Sequence, residues 1–151
     1  MPGPLGTDIA LDLVDSRALS IYRVRQEEKR LVAGGRIMRR RDFTTLSDRD
    51  NLGQALTVRL LTPRGELAPL GHPAYGSRLH EVVGAPNTPT TRNLAKLFVI
   101  EALKQERRVA KIASVEVTPH RVNGFLILIA ISVLPVGEDV VLDIGPLLLE
   151  L

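Results

Sequence analysis

The alternation of apolar and polar residues predicts short strands in the first third of the chain. "ALSIYRV" and "RIMRRRDFTTL" show this period of two, while "RQEEKRLVAGG" between them is expected to connect the two strands. Gly34 and Gly35 favour a hairpin turn within that connection. Residues 1–16 contain two prolines and two glycines and are expected to form an extended arm, followed by a β-rich region over residues 17–46.

A spacing of three and four residues between apolar positions predicts a first helix from Asp48 to Leu61. Ser47 is the expected cap, and acids in the first turn are typical of a helix start. Pro63 should end the helix, because the residue before a proline disfavours helical backbone. The buried side is predicted to contain Leu52, Ala55, Leu56, Arg59 and Leu60.

A second, longer helix is predicted to begin at Pro89, with Thr88 as its cap, and to end near Arg107. Its buried side is predicted to contain Leu94, Leu97, Phe98 and Ala102. Between the two long helices, Ser77 is expected to cap a short helix, "RLHEVV", which ends at Gly84.

The last third of the chain again predicts strands. "VAKIASVEV", in which Ile112 falls out of register, should pair with "FLILIAISVL" through a turn at Asn123–Gly124 with positive φ angles. "DVVLDIGPLLLEL" closes the chain. The pattern predicts an α+β fold in one domain, with helices and a connector over residues 47–107 packed on a small antiparallel sheet over residues 108–151.

Composition narrows the possible classes of protein. The chain has 151 residues, 44% hydrophobic and 25% charged, which is typical of one globular domain. The absence of cysteine excludes disulfides and thiolate metal sites. "FLILIAISVLPV" is too short for a membrane-spanning helix, and no secretory signal begins the sequence, so we expect a soluble protein without membrane insertion.

Charge does not favour a nucleic-acid binder. The net charge is only +3, and the basic clusters Arg39–Arg41 and Arg107–Arg108 lack interleaved aromatic residues. Arginine is common at protein interfaces, because its planar guanidinium pairs with carboxylates and its stem packs. We therefore interpret these clusters as protein contacts or plain surface.

Candidate chemistry is sparse. The histidines at 72, 80 and 120 do not have the spacing of a zinc site, and Ser77 lacks the flanking pattern of a nucleophile elbow. A glycoside hydrolase needs two carboxylates across a cleft, for which the candidates are Glu66, Glu81, Glu101 and Glu106. No spacing places two of these across a groove. We expect no metal, no cofactor and no enzymatic activity, with a muramidase-like hydrolase as the alternative.

The order of several motifs is specific. "LLTPRGEL" at the end of the first helix, then "LGHPAYGSRLHEVVGAPN", a helix and "ERRVAKI" resemble the baseplate wedge subunits of contractile injection systems, as does "LGTDIAL" near the start. The likeness is greatest to members in extracellular phage-tail-like particles. The family includes a phage tail baseplate protein once labelled a lysozyme and the matching type VI secretion component. Residues 15–41 are the least similar part.

The resemblance implies a structural role. Family members sit in six copies around the central spike and tube, bound to larger wedge subunits, in a particle assembled in the bacterial cytoplasm. The closing β region resembles the strand-exchange domain of sheath subunits. This implies an open sheet edge that seeds the first sheath ring by β-strand addition. We assign that addition to Val140, Val141, Leu142 and Ile144.

Two further sets of residues follow from the resemblance. A Glu-Pro-Arg tripeptide, which contacts neighbouring wedge subunits in the family, corresponds here to Glu106, Arg107 and Arg108, so arginine replaces the proline. The stretch between the helices is interpreted as a rigid connector, in which proline restricts the unfolded chain and glycine permits tight turns. Its residues are Pro69, Gly71, Pro73, Tyr75 and Gly76.

Overall fold

Two α-helices pack together against one face of a three-stranded antiparallel sheet in the computed structural model, which describes residues 5–15, 21–33 and 36–151. The α+β class predicted from the sequence is confirmed. The helices are joined by an irregular connector that contains two short 3-10 helices, Ala68–Leu70 and Leu79–Glu81.

Helix α1 spans Asp48–Leu61, the range that its apolar spacing predicts. Its interior side is slightly rotated from the prediction, because Asn51 is buried whereas Ala55 is only partly buried. Ser47 occupies the predicted N-cap position, but its side chain makes no capping hydrogen bond. The N–H of Asp48 instead donates to the carbonyl of Gly6 at 2.9 Å, so the N-terminal segment holds the start of the helix.

Helix α2 spans Pro89–Leu103 and begins as predicted, with the Thr88 hydroxyl accepting a hydrogen bond from the N–H of Thr91. It ends before the predicted Arg107. Leu94 and Leu97 are 41% and 58% exposed, so the prediction that they are buried is wrong. The side facing the core is the neighbouring one, and its buried residues are Ala95, Phe98, Val99, Ala102 and Leu103.

The sheet consists of β7 (Val109–Pro119), β8 (Leu126–Pro135) and β9 (Leu142–Glu150), with β8 in the centre. Two register shifts in β7, one on each side of Lys111–Ile112, add residues to the strand. They place Ile112 on the core side with the other apolar residues of β7, which explains its position out of the period of two.

The β7–β8 hairpin forms as predicted, but its turn differs. Gly124 and Asn123 do not have positive φ angles. The hairpin has a longer loop, closed by the N–H of His120 donating to the Leu126 carbonyl and by Nδ1 of His120 accepting from the N–H of Asn123. A loop of this length does not need the two-residue turn that Asn-Gly favours.

The N-terminal third forms paired strands rather than a free arm. The strands are β1 (Thr7–Ile9), β2 (Leu11–Asp15), β3 (Ile21–Val24), β4 (Gln26–Ala33), β5 (Arg36–Phe43) and β6 (Thr45–Ser47). They pair antiparallel as β1–β6, β2–β3 and β4–β5. The expected connection "RQEEKRLVA" is therefore mostly strand β4, and the turn predicted at Gly34–Gly35 lies outside the described residues.

The three ribbons meet at a triangle of backbone hydrogen bonds. Ala10 donates to the carbonyl of Thr44 at 2.7 Å, Thr44 donates to Arg25 at 3.0 Å, and Arg25 donates to Ala10 at 2.9 Å. Each of these residues lies between two strands, and Ala10 is fully buried. The triangle, which we call the ribbon junction, satisfies six polar groups where the strand pairings change.

Candidate assembly surfaces

Glu106 is the centre of a half-enclosed charged cluster. Its side chain is only 10% exposed, and its carboxylate accepts hydrogen bonds from the Arg108 side chain at 2.9 and 3.2 Å and from the Arg108 N–H at 3.3 Å. Arg59, from α1, approaches the same carboxylate at 3.4 Å. Arg108 also donates to the carbonyl of Leu5 at 2.9 Å, so the cluster ties the N-terminal segment to both helices.

The ionised form of Glu106 is stabilised inside this cluster. Burial acts to raise the pKa of Glu106, but the hydrogen bonds and positive charge of Arg108, with the charge of Arg59, lower the pKa below its ordinary value. The same hydrogen bond raises the pKa of Arg108. Two members of the predicted wedge-contact tripeptide thus bind their own chain, whereas Arg107 between them is exposed.

The connector is fixed to the end of α1 by backbone pairing. The N–H of Ser77 donates to Thr62 at 2.8 Å, and the N–H of Arg64 donates to Ser77 at 2.8 Å. Gly76 lies where a Cβ would approach the Thr62 carbonyl oxygen to 2.4 Å, and its φ is 103°. Only glycine fits this close passage without displacing backbone.

Side chains anchor the same segment. The guanidinium of Arg59 lies over the half-buried ring of Tyr75, 4.5 Å from the centroid, and Leu79 is buried in the core. Tyr75 and Leu79 therefore anchor the connector to α1 and to the core. Pro69, Gly71 and Pro73 lie on the exposed part, with Gly71 at a φ of 86°.

Ser77 has a different role from the predicted helix cap. Its buried hydroxyl donates to the carbonyl of Leu60 at 2.5 Å and accepts from the N–H of Leu79 at 3.3 Å. The helix predicted for "RLHEVV" is wrong, because only the 3-10 turn Leu79–Glu81 forms there. Ser77 therefore joins the connector to the last turn of α1.

The carboxylates proposed for a muramidase are paired with arginine or lie in solvent. Glu66 is exposed, Glu81 accepts from Arg78 at 2.7 Å, and Glu101 accepts from Arg64 at 2.5 Å. The Arg78 hydrogen bond lowers the pKa of Glu81. The general acid of a glycosidase needs a raised pKa, so the lowered values of Glu81 and Glu106 are opposite to what that reaction requires.

The histidines contact backbone groups or lie in solvent. No cluster of three or more histidine or acidic side chains there has a metal-binding arrangement. Nδ1 of His80 lies 3.2 Å from the Ser77 carbonyl, and both His72 and His80 are exposed. Over the same ranges, none of the helices has the length and apolar character needed to span a membrane.

The residues assigned to strand addition have unequal surroundings. Val140 and Val141 precede β9 and are 66% and 42% exposed, and their carbonyls accept hydrogen bonds from Arg49 at 3.0 and 2.7 Å. Leu142 packs partly against the core, and Ile144 is buried. Part of the segment that the resemblance assigned to strand addition therefore belongs to the interior.

The C-terminal tail is a part of the core. Ile144, Leu147, Leu149 and Leu151 are all buried in the same cluster as the helices. The N–H of Leu151 also donates to the carbonyl of Phe125 at 2.7 Å. Core packing therefore accounts for these four residues.

The sheet nevertheless has open borders. Along the described chain, β7 and β9 each pair with β8 and with no further strand. An outer border of this kind presents unpaired N–H and C=O groups that another strand can bond. The residues that the resemblance assigned to strand addition lie in β9 or just before it, whereas both borders are unpaired along the described chain.

A comparison with solved structures identifies a similar fold. The crystal structure of a protein from Geobacter sulfurreducens, provisionally named a tail lysozyme, superposes with a TM-score of 0.58 and is 25% identical in sequence. The similarity covers 70% of this chain and 92% of that protein. No protein-family model and no curated protein sequence is significantly similar to the chain. The chain thus has a phage-tail-related fold, which agrees with the coarser part of the resemblance seen in the motifs.

Proposed function

We propose that this chain is a structural component of the baseplate of a contractile, phage-tail-like injection system. The fold shared with a tail protein supports the proposal, as does the order of the connector motifs between the helices. The observation that carries most weight is the backbone pairing of the connector with the end of α1, because an adaptor needs a rigid segment between its contacts. In this role, six copies of the protein join larger wedge subunits around the central spike and tube. The particle itself assembles in the bacterial cytoplasm.

Within this proposal, Arg107 is the wedge-facing member of its tripeptide. Glu106 and Arg108 hold the local backbone by their mutual bonds, and the exposed Arg107 is then available to a carboxylate of a neighbouring subunit. A protein contact of this type depends on geometry as well as charge, since guanidinium binds carboxylate through two parallel hydrogen bonds.

The second contact in the proposal is strand addition to the open border of the C-terminal sheet, which would seed the first sheath ring. Main-chain hydrogen bonds supply the affinity in this mode, and side chains on either face supply specificity. Val140 and Val141 contribute exposed apolar surface at one end of the sheet. No cofactor and no nucleic acid takes part.

Both contacts are tested by mixing the purified chain with the larger wedge subunits and with the sheath subunits of its own particle. We expect co-elution of a complex with each partner. Arg107→Glu should remove the wedge complex and retain the sheath complex, while Arg121→Glu, an equal charge change at an exposed loop residue, should retain both. Failure of the wild-type chain to bind either partner would refute the proposal.

A peptidoglycan hydrolase is the second candidate, favoured by the provisional name of the similar protein. It predicts clearing of a suspension of purified cell walls, and loss of clearing when Glu66, Glu81, Glu101 and Glu106 are each changed to Gln. The paired state of three of these carboxylates argues for no clearing. Clearing that one of these substitutions abolishes, in a variant that remains folded, would replace the structural proposal with the enzymatic one.

A further inference from the structure

Helix α2 lies beside β7 and leaves two clefts between them. One, of about 250 Å³, is lined by Arg92, Asn93 and Lys96 of the helix and by Val115–Thr118 of the strand. The other, of about 390 Å³, lies between the end of the helix at Leu103–Lys104 and the start of the strand. The outer border of β7 is therefore flanked by open space along both of its halves.

The lining of these clefts is positively charged. Arg92, Lys96, Lys104 and Lys111 line them, against a single acid, Glu116. Among the ion pairs of the described residues, none engages Lys96, Lys104 or Lys111. Arg92 is bonded only to the neutral side chain and carbonyl of Asn87. Such a cleft attracts a segment that carries carboxylates.

The two borders of the sheet differ in how well they can accept a strand. In β9, Pro146 has no N–H to donate, and the pairing with β8 shifts register at the same place. Together they divide β9 into two short pieces. In β7, the register shifts are confined to the first half, and Ser114–Pro119 pairs with β8 without interruption. Shifts and prolines are the features by which natural sheets block unwanted pairing.

The burial of side chains also favours β7 over β9 as the strand that accepts a partner. The second half of β9 includes the buried Leu147 and Leu149, so that strand is fixed in the core. In the uninterrupted half of β7, Val115 is buried while Ser114, Glu116 and Thr118 are exposed. An incoming strand can therefore contact side chains on the exposed face of β7 without displacing core residues.

We propose that an extended, carboxylate-bearing segment of another protein chain adds as a strand to the outer border of β7 at Ser114–Thr118, between that border and the cationic side of α2. The proposal rests on the proposed function for the identity of the partner, a sheath subunit. It places the addition on β7 and not on β9. Lys96 and Arg92 select the charge of the incoming segment.

The test uses two synthetic peptides of equal length with alternating Val and Thr, one carrying Glu and the other Lys at the same places. Amide hydrogen exchange of the full chain is followed by NMR with each peptide. We expect the Glu peptide to slow exchange at Ser114–Thr118 and the Lys peptide to leave it unchanged. Lys96→Glu should weaken binding of the Glu peptide by about tenfold, because like charges then face each other. Arg41→Glu, an equal change at an exposed residue of β5, should have no effect.

Several results would overturn this inference. The inference is wrong if neither peptide slows amide exchange in β7, if both slow it equally, or if exchange slows only in β9. It is also wrong if exchange in β7 slows without peptide as the protein concentration rises, because that would indicate pairing of two copies of the chain. Failure of the proposed function is separate. If the Glu peptide slows exchange in β7 while sheath subunits do not bind, strand addition at β7 is supported and the sheath role is refuted. If sheath subunits bind and slow exchange only in β9, the sheath role is supported and strand addition at β7 is refuted.

Discussion

Arg108 holds the carboxylate of Glu106 with its side chain and with its own backbone N–H, two residues along the chain. This short-range contact fixes the segment between α2 and β7, around Arg107, the position at which the wedge subunits that the motifs resemble carry a proline. A proline restricts its own φ angle, and here a charged side chain bonded to a neighbouring carboxylate restrains the same segment by a different physical means.

Replacing Glu106 should destabilise the protein. Glu106→Gln removes the negative charge between Arg59 and Arg108 and leaves both cations less well paired in a partly buried site. We expect a loss of about 2 kcal/mol in the free energy of unfolding, as for hydrogen bonds to charged groups. Urea unfolding at neutral pH measures it, and Glu66→Gln, at an exposed residue, should change stability little. An unchanged midpoint for Glu106→Gln would show that the cluster does not stabilise the fold.

The same residue predicts a pH dependence. Because the folded pKa of Glu106 is lower than its unfolded value, the unfolded state binds a proton first as the pH falls. The stabilisation by Glu106 is complete above the ordinary glutamate value of 4.5 and is lost as the pH falls through the lower, folded value. The difference in stability between the wild type and Glu106→Gln should therefore shrink in this acidic window. A difference that stayed constant down to the folded pKa would contradict the lowered value.

Gly76 should tolerate substitution less well than another glycine of the same connector. Gly71 also has a positive φ, but a Cβ there meets no atom within 4 Å, whereas at Gly76 it would meet the Thr62 oxygen at 2.4 Å. Gly71→Ala should cost about 1 kcal/mol from backbone conformation alone, and Gly76→Ala about 3 kcal/mol or more because backbone must also move. Thermal unfolding of the two variants makes the comparison. Equal losses would mean that the close approach at Gly76 relaxes freely.

Deleting Asp139–Leu151 should unfold the protein rather than only remove a docking tail. Ile144, Leu147, Leu149 and Leu151 are buried. Each such side chain contributes about 1.5–3 kcal/mol by burial, so together they approach the whole stability of about 5–15 kcal/mol that is usual for a domain. Circular dichroism and limited proteolysis should show an unfolded chain. The double variant Val140→Ser and Val141→Ser should remain folded, and a folded deletion variant would show that β9 is dispensable.

The helices were the most predictable part of the fold, because local signals define them. The bounds of α1 and the Thr88 cap of α2 follow from spacing, proline and a hydroxyl side chain within a few residues. The buried side of α2 was less predictable. Leu94 is as apolar as Val99, and only the position of β7 decides which of the two faces the core.

The contacts made by the candidate site residues were not predictable from the sequence. The motif order indicated that Glu106, Tyr75 and Gly76 matter, but not that Arg59, 47 residues before Glu106, contacts two of them. The cationic clefts beside β7 were missed, since Lys96 and Lys111 are ordinary surface lysines until the fold sets the helix alongside the strand. Long-range contacts of this kind leave no periodic signal in a single sequence.

The ribbon junction marks where the β4–β5 ribbon attaches to the rest of the fold. Ala10, Arg25 and Thr44 close their own hydrogen bonds into a ring, so the β4–β5 ribbon joins the rest of the chain at one self-contained node. We expect insertions into that ribbon to leave the three hydrogen bonds of the junction in place, because none of their donors or acceptors lies within β4 or β5. A change in the length of this outlying ribbon is thus compatible with the same packing of the helices on the C-terminal sheet.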